Sequence, residues 1–144
     1  MKSPYTVRTT LVREGSFKDA YRIESSNSIW NLFRHLEDDD RESFVAVLLD
    51  VKQKVIGINV VSTGTLDASL VHPREVFKAA VIASAAAVIC VHNHPSGDAT
   101  PSSEDHDITA RLREAGRILG IPLLDHIVIG FQTHYSFNDH RLLV

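Results

Sequence analysis

An apolar run over residues 86–91 ends directly at the polar segment His92-Asn93-His94-Pro95 and constrains the fold more than any other part of the chain. A second apolar run covers residues 44–49. Runs of this length, rich in valine, isoleucine and leucine, are typical of β-strands that are covered on both faces. Such strands need other elements packed on both sides of their sheet, so we predict an α/β fold with a mixed β-sheet.

Three segments have the apolar spacing of amphipathic helices. The first follows hydroxyl and amide caps at residues 26–28 and ends at the aspartate run 38–40. The second starts at Pro73, which suits the first turn of a helix, and ends by residue 85. The third extends from Ser102 to about residue 119. We expect its inward face to consist of Ile108, Leu112, Ala115 and Leu119.

Further strands are predicted between and after these helices. Residues 55–61 follow a turn and pair with residues 44–49 in a hairpin, after which residues 62–65 form a loop. Residues 121–130 and 133–137 close the domain as two more strands. We therefore expect a sheet of about five or six strands flanked by three helices.

The bulk composition is that of one globular domain, with 44% hydrophobic and 23% charged residues in a chain of 144. We assign residues 1–144 to this domain and residues 1–24 to an N-terminal arm with one or two short strands. The net charge of -3 provides no basic footprint for tight nucleic-acid binding. Cys90 is the only cysteine, and no apolar segment has the ~20 residues of a membrane span, so we predict a cytoplasmic protein without a membrane partner.

Two histidines and one aspartate are spaced so that they can share a metal ion. Residues two apart in a strand point to the same side, so His92 and His94 can present two imidazoles at the carboxyl end of their strand. Asp105 lies in the first turn of the next helix, and the loop between can return its carboxylate to the histidines. Two histidines, a carboxylate and a water are a recurring ligand set of catalytic zinc. We therefore predict a Zn²⁺ site at His92, His94 and Asp105.

Each of these residues also has an interpretation without a metal. Two histidines at a strand end can be a polar rim, and Ser102 with Asp105 has the spacing of a helix capping box. The two roles of Asp105 are compatible, because a carboxylate can support the helix start while one oxygen reaches a cation. Cys90 shares a strand face with His92 and is a further ligand to consider, although a cysteine in such a run is more often a small buried hydrophobe.

The segment His92-Asn93-His94-Pro95, followed by Ser102 and Asp105, resembles the H-x-H-P-x(6)-S-x-x-D signature of JAMM-type (MPN+/JAB) metalloproteases. The sequence of residues 92–102 is similar to that of the bacterial RadC family. The similarity covers residues 28–144 and includes four more segments, at 64–66, 73–78, 85–87 and 125–127. It implies the cytidine-deaminase-like architecture of JAB/MPN domains and zinc ligands at the two histidines and Asp105.

The resemblance also implies two catalytic residues beside the ligands. Ser102 would assist at the oxyanion, and a glutamate near the start of the first core strand would handle the proton of the metal-activated water. Cleavage of an amide needs such a carboxyl in any case, because the leaving amine must be protonated. Glu42 fits this position best, although Ser43 separates it from the apolar run, and Glu75 is the rival.

The leading hypothesis is a zinc-dependent hydrolase that cleaves a peptide or isopeptide amide bond, with a peptide or protein as partner. The alternative is a non-catalytic metal-binding module of a RadC-type protein associated with DNA repair, which would bind DNA or a repair partner. Arg111, Arg113 and Arg117 place basic residues on one helix, whereas the net charge argues against strong DNA binding. A homo-oligomer is a further possibility. By default we interpret the pair Asp125-His126 as polar residues entering a strand, and the alternatives are contacts with the metal ligands from behind or a contact between subunits.

Overall fold

The computed structural model describes residues 4–15, 21–64 and 71–143, and its elements agree with the expected α/β fold. Three α-helices and five strands are present in these residues, together with one 3₁₀ helix. In chain order the elements are α1 (Ser26–Phe33), the 3₁₀ helix (Arg34–Asp38), β1 (Glu42–Leu49), β2 (Val55–Gly64), α2 (Pro73–Ile82), β3 (Ala87–Asn93), α3 (Ser103–Leu119), β4 (Leu123–Gly130) and β5 (Thr133–Ser136).

The five strands form one mixed sheet in the order β2-β1-β3-β4-β5. Strand β1 is antiparallel to both β2 and β3, so the predicted hairpin of β1 with β2 is present. Strands β3 and β4 are parallel and are joined by α3, as a parallel pair requires a long crossover connection. The crossover starts where β3 ends, so it places the first turn of α3 at the carboxyl edge of β3.

Alternate residues of β1 and β3 are buried on opposite faces of the sheet, which is why both runs are apolar throughout. One face packs against α2 and α3, and its buried residues include Phe44, Ala46, Cys90, Phe77 and Leu112. The other face packs against α1, and its buried residues include Val45, Val47, Val91, Ile29 and Phe33.

The expectation of strands in the N-terminal arm is wrong for residues 4–15. Residues 4–15 contain no strand, and the side chains of Tyr5, Val7 and Val12 are exposed. In the described part of the chain these three side chains belong to no buried cluster, and the segment does not join the sheet. Further along the arm, Arg22 forms an isolated antiparallel bridge with Lys54, and residues 16–20 lie outside the described residues.

Two further details of the prediction are corrected. Residues 62–64, expected to be a loop, continue β2, because β1 begins at Glu42 and pairs with Gly64; Thr65 lies outside the described residues. Leu119, expected to face inward, is 49% exposed. It belongs to the last turn of α3, which ends at Gly120 in the left-handed conformation beyond the edge of the core.

Among the described residues, no helix combines the length and the apolar character that crossing a membrane requires.

Candidate metal centre

The end of β3 brings the two histidine side chains together. His92 is a strand residue and is almost fully buried, whereas His94 lies just past the strand and is partly exposed. The backbone N–H of His94 still donates to the carbonyl of Ile129 at 2.9 Å, which extends the pairing with β4 by one residue. As a result the two Nε2 atoms lie 3.1 Å apart.

Asp105 reaches both histidines from the first turn of α3. One carboxylate oxygen, Oδ1, lies 3.3 Å from Nε2 of His92, and the other, Oδ2, lies 3.1 Å from Nε2 of His94. Ser102 is the N-cap of this helix: its hydroxyl accepts from the N–H of Asp105, and its own N–H donates to Oδ2 of Asp105 at 2.9 Å. The capping box and the approach to the histidines therefore occur together, as the sequence allowed.

The three side chains fit a metal ion. Each offers one ligand atom, and these atoms all lie within 4.8 Å of one another; in the described part of the chain no other group of three such residues meets this condition. A tetrahedral ion with ligands at ~2.0–2.1 Å places its ligand atoms about 3.3–3.4 Å apart. The two Nε2 atoms lie 3.1 Å apart, and each faces a different oxygen of Asp105, at 3.3 Å from His92 and 3.1 Å from His94, so these contacts are close to that spacing. Two nitrogens with one carboxylate oxygen leave a fourth position for water or substrate.

Nδ1, the second ring nitrogen of each of the two histidines, has its own hydrogen-bond partner. Nδ1 of His94 lies 2.8 Å from the backbone carbonyl of Asp98, which can only accept, so Nδ1 carries the proton and Nε2 is left to bind a metal. Nδ1 of His92 lies 2.7 Å from Nε2 of His126 on β4. Nδ1 of His126 in turn lies 2.6 Å from the hydroxyl of Thr109 on α3. Both ligand rings are thereby fixed in orientation, as metal-binding histidines usually are.

The carboxylate of Asp105 is held in its charged form. Burial raises its pKa, but when no ion is bound the histidines donate to it through protonated Nε2 atoms, and these hydrogen bonds, with the charge of His92 and the N–H of Ser102, bring the pKa far below its usual range. A cation would take the place of those Nε2 protons. The hydrogen bond with Asp105 likewise raises the pKa of His94. The pKa of His126 is lowered well below its ordinary value, chiefly because its ring is buried.

Glu42 and Ser102 line the same small cavity as two of the proposed ligands. The cavity has a volume of about 280 Å³ and is lined by Glu42, His94, Pro95, Ser96, Ser102, Glu104, Asp105 and Ile108. Glu42 is the first residue of β1, and it is near enough to contribute to the raised pKa of His94. The structure therefore places the two predicted catalytic side chains beside the ligand cluster.

The two alternative residues lie elsewhere. Glu75 forms an ion pair with Lys78 at 2.9 Å and lines a different cavity, together with residues 10–12 and 59–61. Cys90 is fully buried in the core beside α2 and α3 and does not belong to the cluster of ligand atoms. Burial raises the pKa of its thiol, which keeps it protonated.

Thr109 was not predicted from the sequence, and a contact of His126 with a metal ligand was only an alternative to the default interpretation. The pair Asp125-His126 does enter a strand, but the ring of His126 contacts His92 because β3 and β4 pair in a register that sets Cys90 opposite His126. Nothing in the spacing of residues 92 and 126 indicates this contact. A larger cavity of about 610 Å³, beside α3 and residues 142–143, includes Thr109 in its lining but none of the three ligand residues.

This combination of a mixed sheet, a crossover helix and a two-histidine, one-aspartate cluster at its start defines an α/β domain with a site suited to a metal ion. A family model described as the RadC-like JAB domain matches residues 23–142, and the chain belongs to that family. The predicted resemblance is thus confirmed.

Relatives of known sequence agree with this assignment. A protein of Trichlorobacter lovleyi named UPF0758 protein is 53% identical over 123 residues, which are 85% of this chain and 54% of that protein. A UPF0758 protein of Geobacillus thermodenitrificans is 60% identical over 99 residues, which are 69% of this chain and 44% of that protein. The chain therefore spans about half the length of the curated relatives that it matches.

Proposed function

We propose that this chain is a zinc-dependent hydrolase of the JAMM type that cleaves a peptide or isopeptide amide bond by means of metal-activated water. The observation that carries the proposal is the meeting of two imidazole nitrogens and a carboxylate oxygen beside a cavity that is also lined by Glu42 and Ser102. A purely structural metal site is normally closed by four protein ligands, whereas three ligands next to a cavity are typical of a catalytic site.

His92, His94 and Asp105 would hold the ion, and both His94 and Asp105 also line the cavity, so a substrate can approach from that side. When bound there, zinc lowers the pKa of a coordinated water to ~7 and polarises a carbonyl group. The charged carboxylate of Asp105 and the two Nε2 atoms beside it favour a divalent cation over any neutral ligand.

Glu42 is proposed as the proton carrier. Its carboxylate would take a proton from the attacking water and deliver it to the nitrogen of the scissile amide, which then leaves as an amine. Its position at the start of β1, half-buried and lining the cavity, would allow one carboxyl group to serve both ends of that transfer. Glu104 lines the same cavity but is exposed on the first turn of α3.

Ser102 is proposed as the donor to the oxyanion. Its hydroxyl oxygen already accepts the N–H of Asp105 at 3.1 Å, so the hydroxyl proton remains free to point into the cavity. A donor fixed in this way before the substrate arrives stabilises the negative charge that develops on the carbonyl oxygen in the transition state.

A library of quenched fluorescent peptides, supplemented with isopeptide-linked lysine peptides, tests the proposal on the zinc-loaded protein. We expect cleavage by wild-type protein, a loss of at least ~10²-fold in Glu42→Gln, and no cleavage by His94→Ala. Glu75→Gln, at a glutamate that lines a different cavity, serves as the matched control and should retain the wild-type rate. Equal activity in all these proteins would remove the proposal, and a zinc-loaded but inactive wild type would favour the non-catalytic module.

A further inference from the structure

We propose that Thr109 and His126 are positioning residues that fix which ring nitrogen of His92 carries the proton, so that Nε2 is left free to bind the metal. This inference rests on the zinc site proposed above and assigns it two residues that are not ligands. The three side chains form one buried row: the Thr109 hydroxyl, the His126 ring and the His92 ring, linked by contacts of 2.6 and 2.7 Å.

The direction of the row is set at Thr109. Its hydroxyl oxygen lies 2.7 Å from the backbone carbonyl oxygen of Asp105. Two oxygens at this distance repel one another unless a proton lies between them, and a carbonyl has none to give. The single hydroxyl proton of Thr109 therefore points at Asp105, and the hydroxyl can only accept from the next member of the row. The proton between Thr109 and His126 must belong to Nδ1 of His126.

The proton position in the His126 ring determines which nitrogen of His92 is protonated. The ring of His126 is fully buried, stacked on Phe137 at 5.1 Å and edge-on to Phe44 at 5.4 Å. An apolar setting of this kind favours a neutral ring. A neutral ring protonated at Nδ1 has a lone pair at Nε2, so the proton between His126 and His92 must belong to Nδ1 of His92.

The consequence appears at the ligand cluster. With its proton at Nδ1, His92 presents a lone pair at Nε2, toward Nε2 of His94 and the carboxylate of Asp105. If the row ran the other way, Nε2 of His92 would carry a proton and would exclude a cation. Asp105 therefore acts twice: its side chain is a ligand, and its backbone carbonyl sets the direction of the row that prepares His92.

His92 needs this arrangement because of its position. His94 lies in a loop and reaches a backbone carbonyl directly. His92 lies inside a strand whose neighbours on both sides already pair their backbone groups, so a side chain from β4 must supply the acceptor. A neutral histidine ring in water favours a proton on Nε2, so the surrounding residues have to impose the other form on His92.

The test measures zinc affinity by competition with a chelator, separately from hydrolysis. Thr109→Val keeps the shape of the side chain and removes the hydroxyl, whereas Thr109→Ser keeps the hydroxyl. We expect about a 10- to 100-fold weaker affinity for zinc in Thr109→Val, as is typical when the hydrogen-bond partner of a ligand is removed, and wild-type affinity in Thr109→Ser. His126→Phe fits between the neighbouring aromatic rings but accepts no proton, and we expect the same loss, with recovery in His126→Gln.

Nitrogen-15 NMR of the histidine rings in the zinc-loaded protein provides an independent measurement. We expect a protected proton on Nδ1 of both His92 and His126 in the wild type, and loss of protection at His92 in His126→Phe.

A proton on Nε2 of His126 would overturn the inference, as would unchanged zinc affinity in both Thr109→Val and His126→Phe. Lower stability of the metal-free variants without a change in affinity would show a purely structural role. Wild-type protein that binds zinc but cleaves no amide would remove only the proposed hydrolase.

Discussion

The side-chain oxygen of Asn93 accepts a hydrogen bond from the backbone N–H of Ser43 at 2.8 Å. Asn93 lies between His92 and His94 in the chain, and Ser43 directly follows Glu42. The amide group of Asn93 also donates to the carbonyls of Leu36 and Arg41, at 3.2 and 2.9 Å. One buried side chain therefore ties the end of β3 to the start of β1 and sets the position from which Glu42 faces the cavity.

Asn93→Ala should destabilise the fold and impair hydrolysis more than zinc binding. It removes three hydrogen bonds, each with a net contribution of ~0.5–1.5 kcal/mol, so we expect the free energy of unfolding in urea to fall by ~2–4 kcal/mol. The exposed residue Asn27 provides the control, since Asn27→Ala should change that free energy by less than ~0.5 kcal/mol. An Asn93→Ala protein as stable as the control would show that the three bonds do not hold the strand start.

Gly130, at the end of β4, is packed against the loop that orients His94. A Cβ atom at this position would lie 2.5 Å from the carbonyl oxygen of Gly97 and 2.8 Å from the N of Ala99. The residue between these two, Asp98, supplies the carbonyl that accepts from Nδ1 of His94. A side chain at position 130 must therefore displace the loop whose Asp98 carbonyl orients the ring of His94.

Gly130→Ala and Gly116→Ala form a matched pair that separates the site from the fold. A Cβ at Gly116, in α3, would lie 2.5 Å from the carbonyl oxygen of Ile121, away from the ligands. Each substitution should lower the free energy of unfolding of the metal-free protein by ~1–3 kcal/mol through overpacking. Only Gly130→Ala should also weaken zinc binding in chelator competition. Equal zinc affinity in the two variants would contradict the role of the loop.

The elements that the sequence predicted well are those determined by local patterns. Residues 86–91 are apolar because their strand is buried on both faces, and that pattern needs no knowledge of the partners. His92 and His94 share a side because of strand geometry, and Asp105 is at the third position of its helix because Ser102 caps it. Spacing alone therefore indicated that these three side chains can meet, and the resemblance to JAMM-type domains pointed to a metal there.

The features that the sequence did not reveal depend on register and on distant contacts. His126 supports His92 only because β3 and β4 pair in one register out of several, and Asn93 holds Ser43 across 50 positions of the chain. The extension of β2 to Gly64 likewise follows from where β1 begins. Apolar residues such as Tyr5 indicate a strand locally, but no sheet edge in the described residues receives them.

Asp125 should make stability depend on pH in a direction opposite to that of most carboxylates. Burial raises its pKa, and hydrogen bonds from Ser136, Asn138 and His126 only partly offset this. Because the folded-state pKa exceeds the unfolded value of ~3.9, the protonated form favours folding. That contribution is complete below the unfolded pKa and is lost as the pH rises through the folded pKa. Asp125→Asn, which keeps an acceptor oxygen, should therefore gain stability relative to wild type between pH 4 and pH 7.

Asp50 provides a control with the opposite sign. Hydrogen bonds from the backbone N–H groups of Lys54 and Lys52 lower its pKa, so its contribution to folding is present above the unfolded pKa and is lost as the pH falls through the folded pKa. Asp50→Asn should lose stability relative to wild type as the pH rises. Urea unfolding at pH 4, 5, 6 and 7 measures both variants, and slopes of the same sign would contradict the assignment for Asp125.

Cys90 should be unreactive in the folded protein and dispensable for the metal. Its thiol is fully buried, and burial raises its pKa, so little thiolate exists at neutral pH. We expect alkylation by iodoacetamide to be slow in native protein and fast in urea. Cys90→Ala should bind one zinc ion with wild-type affinity. If Cys90→Ala lost zinc while Cys90→Ser kept it, zinc binding would depend on an atom at the position of the Cys90 sulfur, and the prediction would be wrong.

Removal of the metal should lower stability by an amount that follows zinc concentration. Three atoms with lone pairs converge within 4.8 Å, and only a cation or bound protons relieve their repulsion. A ligand that binds only the folded state stabilises it by ~2.7 kcal/mol at a free concentration 100 times its dissociation constant. We expect thermal unfolding in a zinc buffer to shift upward with free zinc in the wild type and in His35→Ala, an exposed histidine, but not in His92→Ala. Magnesium should give no shift, because it prefers six oxygen ligands. A zinc-dependent shift that persists in His92→Ala would place the binding site elsewhere on the protein.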